Sequence, residues 1–265
     1  MRVVDIDPEP CLQVPYLNAA RRGGVDSCLL PIHLARVDAL PACLDALVVT
    51  GDLQGVVPSH MGAESLLLGE ALAIELLELD ALAQPARVGV LLAGDLYSAP
   101  GGDVRGASGD VTGVWEAFAE LYRWVAGVAG NHDRFGAEKD ARRLYASPRV
   151  HRLDDRALEL DGLRLGGVDH IIGNPDKPGR RDAFDFLDTL ALVLAEDLDL
   201  LVLHEGPSGG PSQRGNDAIR SHLERAASGP LTICGHTHWD APLAELAGGR
   251  QVLNVDARAV ILQAQ

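Results

Sequence analysis

The chain has 265 residues, 47% hydrophobic and 23% charged, which is ample material for a buried core. Its formal charge of −15 argues against a partner as long and anionic as DNA or RNA, although bound cations would still let it hold a small phosphate. Cys11, Cys28, Cys43 and Cys234 are dispersed, with no C-x-x-C pair, so neither a zinc finger nor a disulfide framework is expected.

No apolar run reaches the roughly 20 residues a membrane-spanning helix needs, and Asp5 and Asp7 stand where a secretory signal would be apolar. A cytoplasmic protein without a membrane partner is expected. No Pro/Ser-rich linker divides the sequence, so residues 1–265 read as a single domain.

Residues 1–45 read as short strand or loop pieces, around Val14-Pro15-Tyr16-Leu17 and residues 28–34. His33 alternates there with apolar neighbours and reads as a packed histidine rather than a ligand. An apolar run over 47–50 then enters Gly51-Asp52-Leu53-Gln54-Gly55. Asp52 and Gln54 stand two apart, so on extended backbone they share a side and can meet one cation. The same residues are ordinary turn chemistry, and the motif alone leaves both readings open.

His60 reads as a surface-loop histidine, and residues 61–83 carry apolar side chains at helical spacing, as in a crossover helix. The run 88–93 ends in Gly94-Asp95, where a lone aspartate is most often a helix N-cap. Residues 98–113 are rich in Gly, Asp and Ser and read as a specificity loop. A helix over 114–124 follows, with Trp115, Phe118, Leu121 and Tyr122 as its core face.

The run 124–129 delivers Gly130-Asn131-His132-Asp133, with the glycine permitting a tight turn. Residues 140–145 read as helix, and 150–153, 157–160 and 163–168 as a meander of three strands. Asp169 and His170 are assigned a structural role, and 173–181 a surface loop in preference to a source of phosphate-binding arginine. A helix over 183–195 precedes the run 200–203 that ends at His204. Another helix over 212–227 precedes the run 231–234, which leads into Gly235-His236-Thr237-His238. The two histidines, two apart on extended backbone, form a fairly specific metal signal. Three strand-like pieces over 242–246, 251–255 and 259–262 close the chain.

Five strand ends thus carry Asp52 with Gln54, Asp95, Asn131 with His132, His204, and His236 with His238. These are too many donors for one structural zinc, which takes four. They suit two divalent cations about 3.5–4 Å apart, bridged by a carboxylate and a solvent oxygen. Such a pair makes hydroxide available near neutral pH and neutralises phosphate oxygens. A histidine off the metals is left to protonate the leaving oxygen.

The ordered set Asp52-Leu53-Gln54, Gly94-Asp95, Gly130-Asn131-His132-Asp133, His204 and Gly235-His236-Thr237-His238 resembles the motifs of the calcineurin-like metallophosphoesterase superfamily. The resemblance spans residues 47–238. It implies an α/β fold of two facing mixed β-sheets flanked by helices, a four-layer α/β/β/α sandwich. It also implies Asp95 as the bridging ligand, with Asp52, Gln54 and His238 completing one site. Asn131, His204 and His236 would complete the other, and His132 would be the proton donor, steadied by Asp95 or a nearby acid. Gln54 departs from the usual histidine, although glutamine also occurs in a branch resembling manganese-dependent ADP-ribose and CDP-alcohol diphosphatases. Asp256 stands where many relatives have glycine.

The expected function is hydrolysis of a phosphomonoester or phosphodiester, of a small molecule or nucleotide. The rivals are a metal-binding scaffold disarmed at Gln54, which retention of His132 disfavours, and a nuclease, which the charge disfavours. The expected cofactors are two divalent metal ions, Mn²⁺ foremost, with Fe, Zn, Mg or Ni as alternatives. A neutral amide is a weaker ligand than imidazole for softer metals. Titration of metal-free protein is therefore expected to reveal one loose site that prefers Mn²⁺ to Zn²⁺; two equally tight zinc ions would contradict this.

Overall fold

The structure is a computed structural model that describes residues 1–58, 65–227 and 229–265. Its strands begin with β1 (Val3–Ile6), β2 (Leu12–Ala19), β3 (Val25–Val37), β4 (Ala46–Gly51), β5 (Val56–Val57), β6 (Leu66–Leu67) and β7 (Val88–Leu92). There follow β8 (Gly109–Asp110), β9 (Trp124–Gly127), β10 (Asp133–Arg134), β11 (Val150–Arg152), β12 (Arg156–Leu160), β13 (Leu163–Val168) and β14 (Ile171–Ile172). The last are β15 (Arg180–Arg181), β16 (Leu200–Glu205), β17 (Leu231–Gly235), β18 (Leu243–Leu246), β19 (Arg250–Asn254) and β20 (Arg258–Ala264). The helices are α1 (Leu68–Glu75), α2 (Thr112–Leu121), α3 (Glu138–Tyr145), α4 (Ala183–Leu194) and α5 (Asp217–Arg225).

One sheet runs β11-β9-β7-β4-β20-β3-β2-β5-β6, with β1 also paired to β3; the other runs β12-β13-β16-β17-β19-β18. Both are mixed. In the first, β4, β7, β9 and β11 are parallel to one another, while β20 meets β4 antiparallel and β3 parallel. In the second, β13, β16, β17 and β19 are parallel. Parallel strands finish on one edge, which is where an open α/β sheet binds ligands.

The continuous apolar runs read from the sequence divide by alternation, because successive side chains leave a strand on opposite faces. Leu47, Val49, Leu91 and Ala126 of the first sheet pack against Leu165, Leu200, Val202, Ile233 and Leu253 of the second. Val48, Val90, Leu92 and Val125 turn the other way, onto Leu68 and Leu72 of α1 and Trp115 and Phe118 of α2. On the far side Leu201 and Leu203 pack on Phe186 and Leu190 of α4 and Ile219 of α5. The result is the expected α/β/β/α sandwich. At one edge the sheets are clipped: Arg123 and the Trp124 indole N–H both donate to Asp161, at 2.5–2.7 Å, from the β12–β13 turn.

Several element expectations need correction. Residues before 45 form a long antiparallel hairpin, β2–β3, rather than short pieces. His33 sits half-buried on β3 with Nδ1 3.0 Å from the Asp7 carbonyl, as a packed histidine would. The helix expected over 61–83 starts only at Leu68, and Ile74 and Leu77 are exposed; Leu66 and Leu67 pair with β5 instead. His60 lies outside the described residues.

The expected meander is split. β11 adds to the first sheet beside β9, whereas β12 and β13 start the second. The helix over 114–124 ends at Leu121, and Trp124 opens β9. α5 is shorter than the 212–227 expected, starting where Asn216 caps it. Among the described residues no helix is long and apolar enough to cross a membrane.

Leu91 is fully buried between the sheets. Leu91→Ala is expected to lower unfolding stability by about 2–5 kcal/mol, read from the denaturant midpoint.

Candidate metal centre

Strand ends of both sheets meet at one place. β4, β7 and β9 lead into Asp52 with Gln54, Asp95, and Asn131 with His132, while β16 carries His204 and β17 leads into His236 and His238. The backbone does not simply continue as strand. Asp52 (φ 51°), Asp95 (φ 55°) and His236 (φ 67°) occupy the left-handed region, which costs a non-glycine residue on the order of 1–3 kcal/mol. The adjacent glycines serve close approach: a side chain at Gly130 would collide with the Asp95 carboxylate, and one at Gly235 with the Asp52 carboxylate. This replaces the tight-turn reading of Gly130.

A buried carboxylate holds the loops in register. Asp133 accepts N–H bonds from Asp95 (2.8 Å), Leu96 (2.8 Å) and Gly130 (2.9 Å). Asp95 in turn accepts the His132 N–H at 2.9 Å, so it is not a helix cap. Asp52 accepts the His236 N–H at 2.8 Å, tying the first sheet to the second.

Asp95, His204 and His236 offer ligand atoms within 4.8 Å of one another. His204 Nδ1 lies 2.8 Å from the Ala93 carbonyl, and its Nε2 stands 3.3 Å from Asp95 Oδ2. Both His204 Nε2 and Asn131 Oδ1 are buried without a hydrogen-bond partner. An unpaired buried polar atom costs about 1–3 kcal/mol, and His204 Nε2 has only its ionic contact with Asp95 to offset that cost. The carbonyl on Nδ1 fixes the ring so that Nε2 faces Asp95. Asp95, His204 and His236 therefore form a candidate metal-binding cluster.

The remaining expected donors are engaged elsewhere. The Gln54 amide nitrogen donates to Asp95 Oδ2 at 3.1 Å, so the amide must turn over before its oxygen can bind metal. His238 lies outside the Asp95–His204–His236 cluster. Its Nδ1 is 3.3 Å from the Asp256 carboxylate, and Arg258 Nη2 is 3.2 Å from its Nε2. On extended backbone both histidines would share one side; the left-handed turn at His236 separates them. Asp256, unexplained from sequence, is thus the carboxylate that holds His238.

The charges follow the packing. Burial would push the His204 pKa down, but the Asp95 and Asp52 carboxylates raise it to about 10. Burial would raise Asp95, yet the charge of His204 and its hydrogen-bonding partners lower it to about 2. Asp52 is pushed well above the ordinary carboxylate range by burial and by Asp256. Burial, then the neighbouring charge of His204, lowers His236 to about 4.

His132 is held differently from the expectation. Its ring Nδ1 lies 3.0 Å from the hydroxyl of Ser108, in the glycine-rich loop, rather than against a carboxylate. Asp169 is buried behind the site, accepting the Ala129 N–H at 3.0 Å and pairing with Arg152, which is the structural role assigned to it. In the 173–181 loop Arg181 is taken up by Asp155 and Asp185.

Residues 45–240 match calcineurin-like phosphoesterases. The chain belongs to that family. As a calcineurin-like phosphoesterase it shares its fold with TT1561 of Thermus thermophilus, at a TM-score of 0.55 and 16% identity over 81% of this chain and 90% of that one. AQ665 of Aquifex aeolicus, a protein of unknown function, matches at 14% identity over 82% of this chain and 95% of that one, with a TM-score of 0.36. Among curated proteins none matches this sequence. Members of such a family hydrolyse phosphoesters with divalent metal, and Asp95, His204 and His236 form a candidate cluster for one.

Sequence reasoning overlooked the three-way bond of Asp133, although that residue lies inside a motif it quoted. It had no signal for Ser108 or Arg258, whose roles depend on the folding of distant segments. His204 must lose a proton to bind metal, because only the neutral imidazole is a ligand. With its pKa raised to about 10, metal affinity is expected to climb about tenfold per pH unit from pH 6 to 9. Calorimetry in buffers of different ionisation enthalpy should register about one proton released per first cation bound.

Proposed function

We propose that this calcineurin-like phosphoesterase uses two divalent cations, Mn²⁺ foremost, to hydrolyse a phosphomonoester or phosphodiester of a small molecule or nucleotide. The observation that carries the reading is the cluster of Asp95, His204 and His236, whose ligand atoms lie within 4.8 Å of one another, together with the buried Asn131 Oδ1 that has no hydrogen-bond partner. When bound, the cations would supply positive charge to the phosphate oxygens and acidity to a water.

The chain's own residues divide the remaining work. Asp95 lies against both donor groups, being 3.3 Å from His204 Nε2 and 3.1 Å from the Gln54 amide, which suits it to bridge. Asp52, Gln54 and His238 would hold the second cation once the Gln54 amide turns over and His238 turns from Asp256. His132 is half-buried, with its main-chain N–H on Asp95 and its Nδ1 on Ser108. That leaves Nε2 to give a proton to the leaving oxygen. The acidity of the chain, −15 overall, favours a small ester over a long nucleic acid.

His132→Ala is expected to lower kcat on bis-p-nitrophenyl phosphate by about 10²–10⁴-fold while metal content stays at the wild-type level. A wild-type protein inert toward mono- and diesters with every divalent metal, yet still binding metal, would favour the scaffold reading.

A further inference from the structure

A cleft of about 370 Å³ opens beside the candidate metal centre. Gln54, whose amide donates to Asp95, is among its lining residues. Gly106, also in its wall, approaches His132 so closely that an added Cβ would lie 3.4 Å from the ring. The cleft therefore leads to the position where a leaving group would depart.

Apart from Gln54, its walls come from two parts of the chain that lie outside the metal-binding motifs. The end of β2, the turn after it and the start of β3 supply Arg21 and Asp26, before the family match begins at residue 45. The loop over 98–113 supplies Arg105, and Tyr97 just before it adds a phenol. Packing joins the two parts: Gly102 of the loop lies against Val56 and the carbonyl of Leu17 in β2.

Among the described residues neither Arg21 nor Arg105 forms an ion pair. In a chain with 38 acids against 23 bases, two guanidiniums at one cleft with no ion pair among the described residues are a local reversal of sign. A guanidinium fork matches a carboxylate or phosphate and focuses such a group toward the site. Asp26, in the same wall, can accept from hydroxyl groups.

We propose that this cleft holds the leaving group of the substrate, and that the leaving group carries a second anion, a carboxylate or phosphate, bound by Arg21 and Arg105. The proposal rests on the hydrolase reading for the position of the reacting phosphate.

The test uses Mn²⁺-loaded protein and non-hydrolysable probes: alkylphosphonates, ω-carboxyalkylphosphonates and alkane-α,ω-diphosphonates with two to five methylenes. Calorimetry is expected to find at least one doubly anionic length binding about tenfold more tightly than its alkylphosphonate. The tighter series, carboxylate or diphosphonate, identifies the second anion. Arg21→Ala and Arg105→Ala should each erase most of the gain without changing alkylphosphonate affinity, and Arg105→Lys should retain part of it. Both arginines are exposed, so the variants should fold. If alkylphosphonates bind but a second anion adds nothing, or its gain survives the double variant, the cleft assignment falls and the hydrolase reading stands. If no phosphonate binds at all, both fall.

Discussion

The contact between the inner faces of the two sheets is the constraint on which the rest depends. Leu47, Val49 and Leu91 meet Leu165, Val202 and Ile233 in one apolar layer, and that contact fixes how far apart the sheets lie and which edges coincide. Because the central strands in each sheet run parallel, the coinciding edges are C-terminal ends. Donors separated by more than a hundred residues in sequence, such as Asp95 and His236, are thereby brought within 4.8 Å. Neither sheet alone holds a complete set.

Concentrating carboxylates and imidazoles at that edge is unfavourable without compensation. Asp95, Asp133 and His204 are buried, and three residues of the site sit in left-handed backbone. Main-chain N–H donors offset part of the cost, through Asp133, Asp95 and Asp52. His204 and Asp95 offset another part as an ion pair. What is left over is specific: Asn131 Oδ1 is buried without a hydrogen-bond partner, and His204 Nε2 has only its ionic contact with Asp95. A cation held by the candidate cluster of Asp95, His204 and His236 would offset part of that cost. The two halves of the donor set are unequally prepared, since Gln54 and His238 begin from other partners.

The architecture was legible because its signals are local. Runs such as 88–93 and 200–203 are apolar on both faces, as buried parallel strands must be, and each ends in a residue that apolar packing would not choose. The motif order then pointed to the family and the donors' neighbourhood. What stayed hidden was set by tertiary contact. Nothing in Val150-His151-Arg152 tells which sheet will accept it. The left-handed backbone of Asp52, Asp95 and His236 follows a glycine in each case, yet the sequence does not say that the following residue takes the turn. Ser108 reaches His132 only because β8 lies parallel to β10, and His238 is captured by Asp256 and Arg258 after β19 has joined the second sheet.

The place of β20 has a consequence for the order of assembly. It is wedged between β3 and β4, hydrogen-bonded to both, so the N-terminal hairpin touches the metal-bearing strands of its own sheet through residues 258–264. During vectorial synthesis the hairpin emerges early, with an unpaired edge on β3, and must wait for the far end of the chain before that edge is covered. Such a late-closing, non-local pairing makes folding slow and leaves a sticky edge exposed in the interim. A ribosome-bound chain stalled short of residue 258 would lack the strand between β3 and β4, leaving the hairpin tied to the segment after Gln54 by the short pairing of β2 with β5 at Leu17 and Val56.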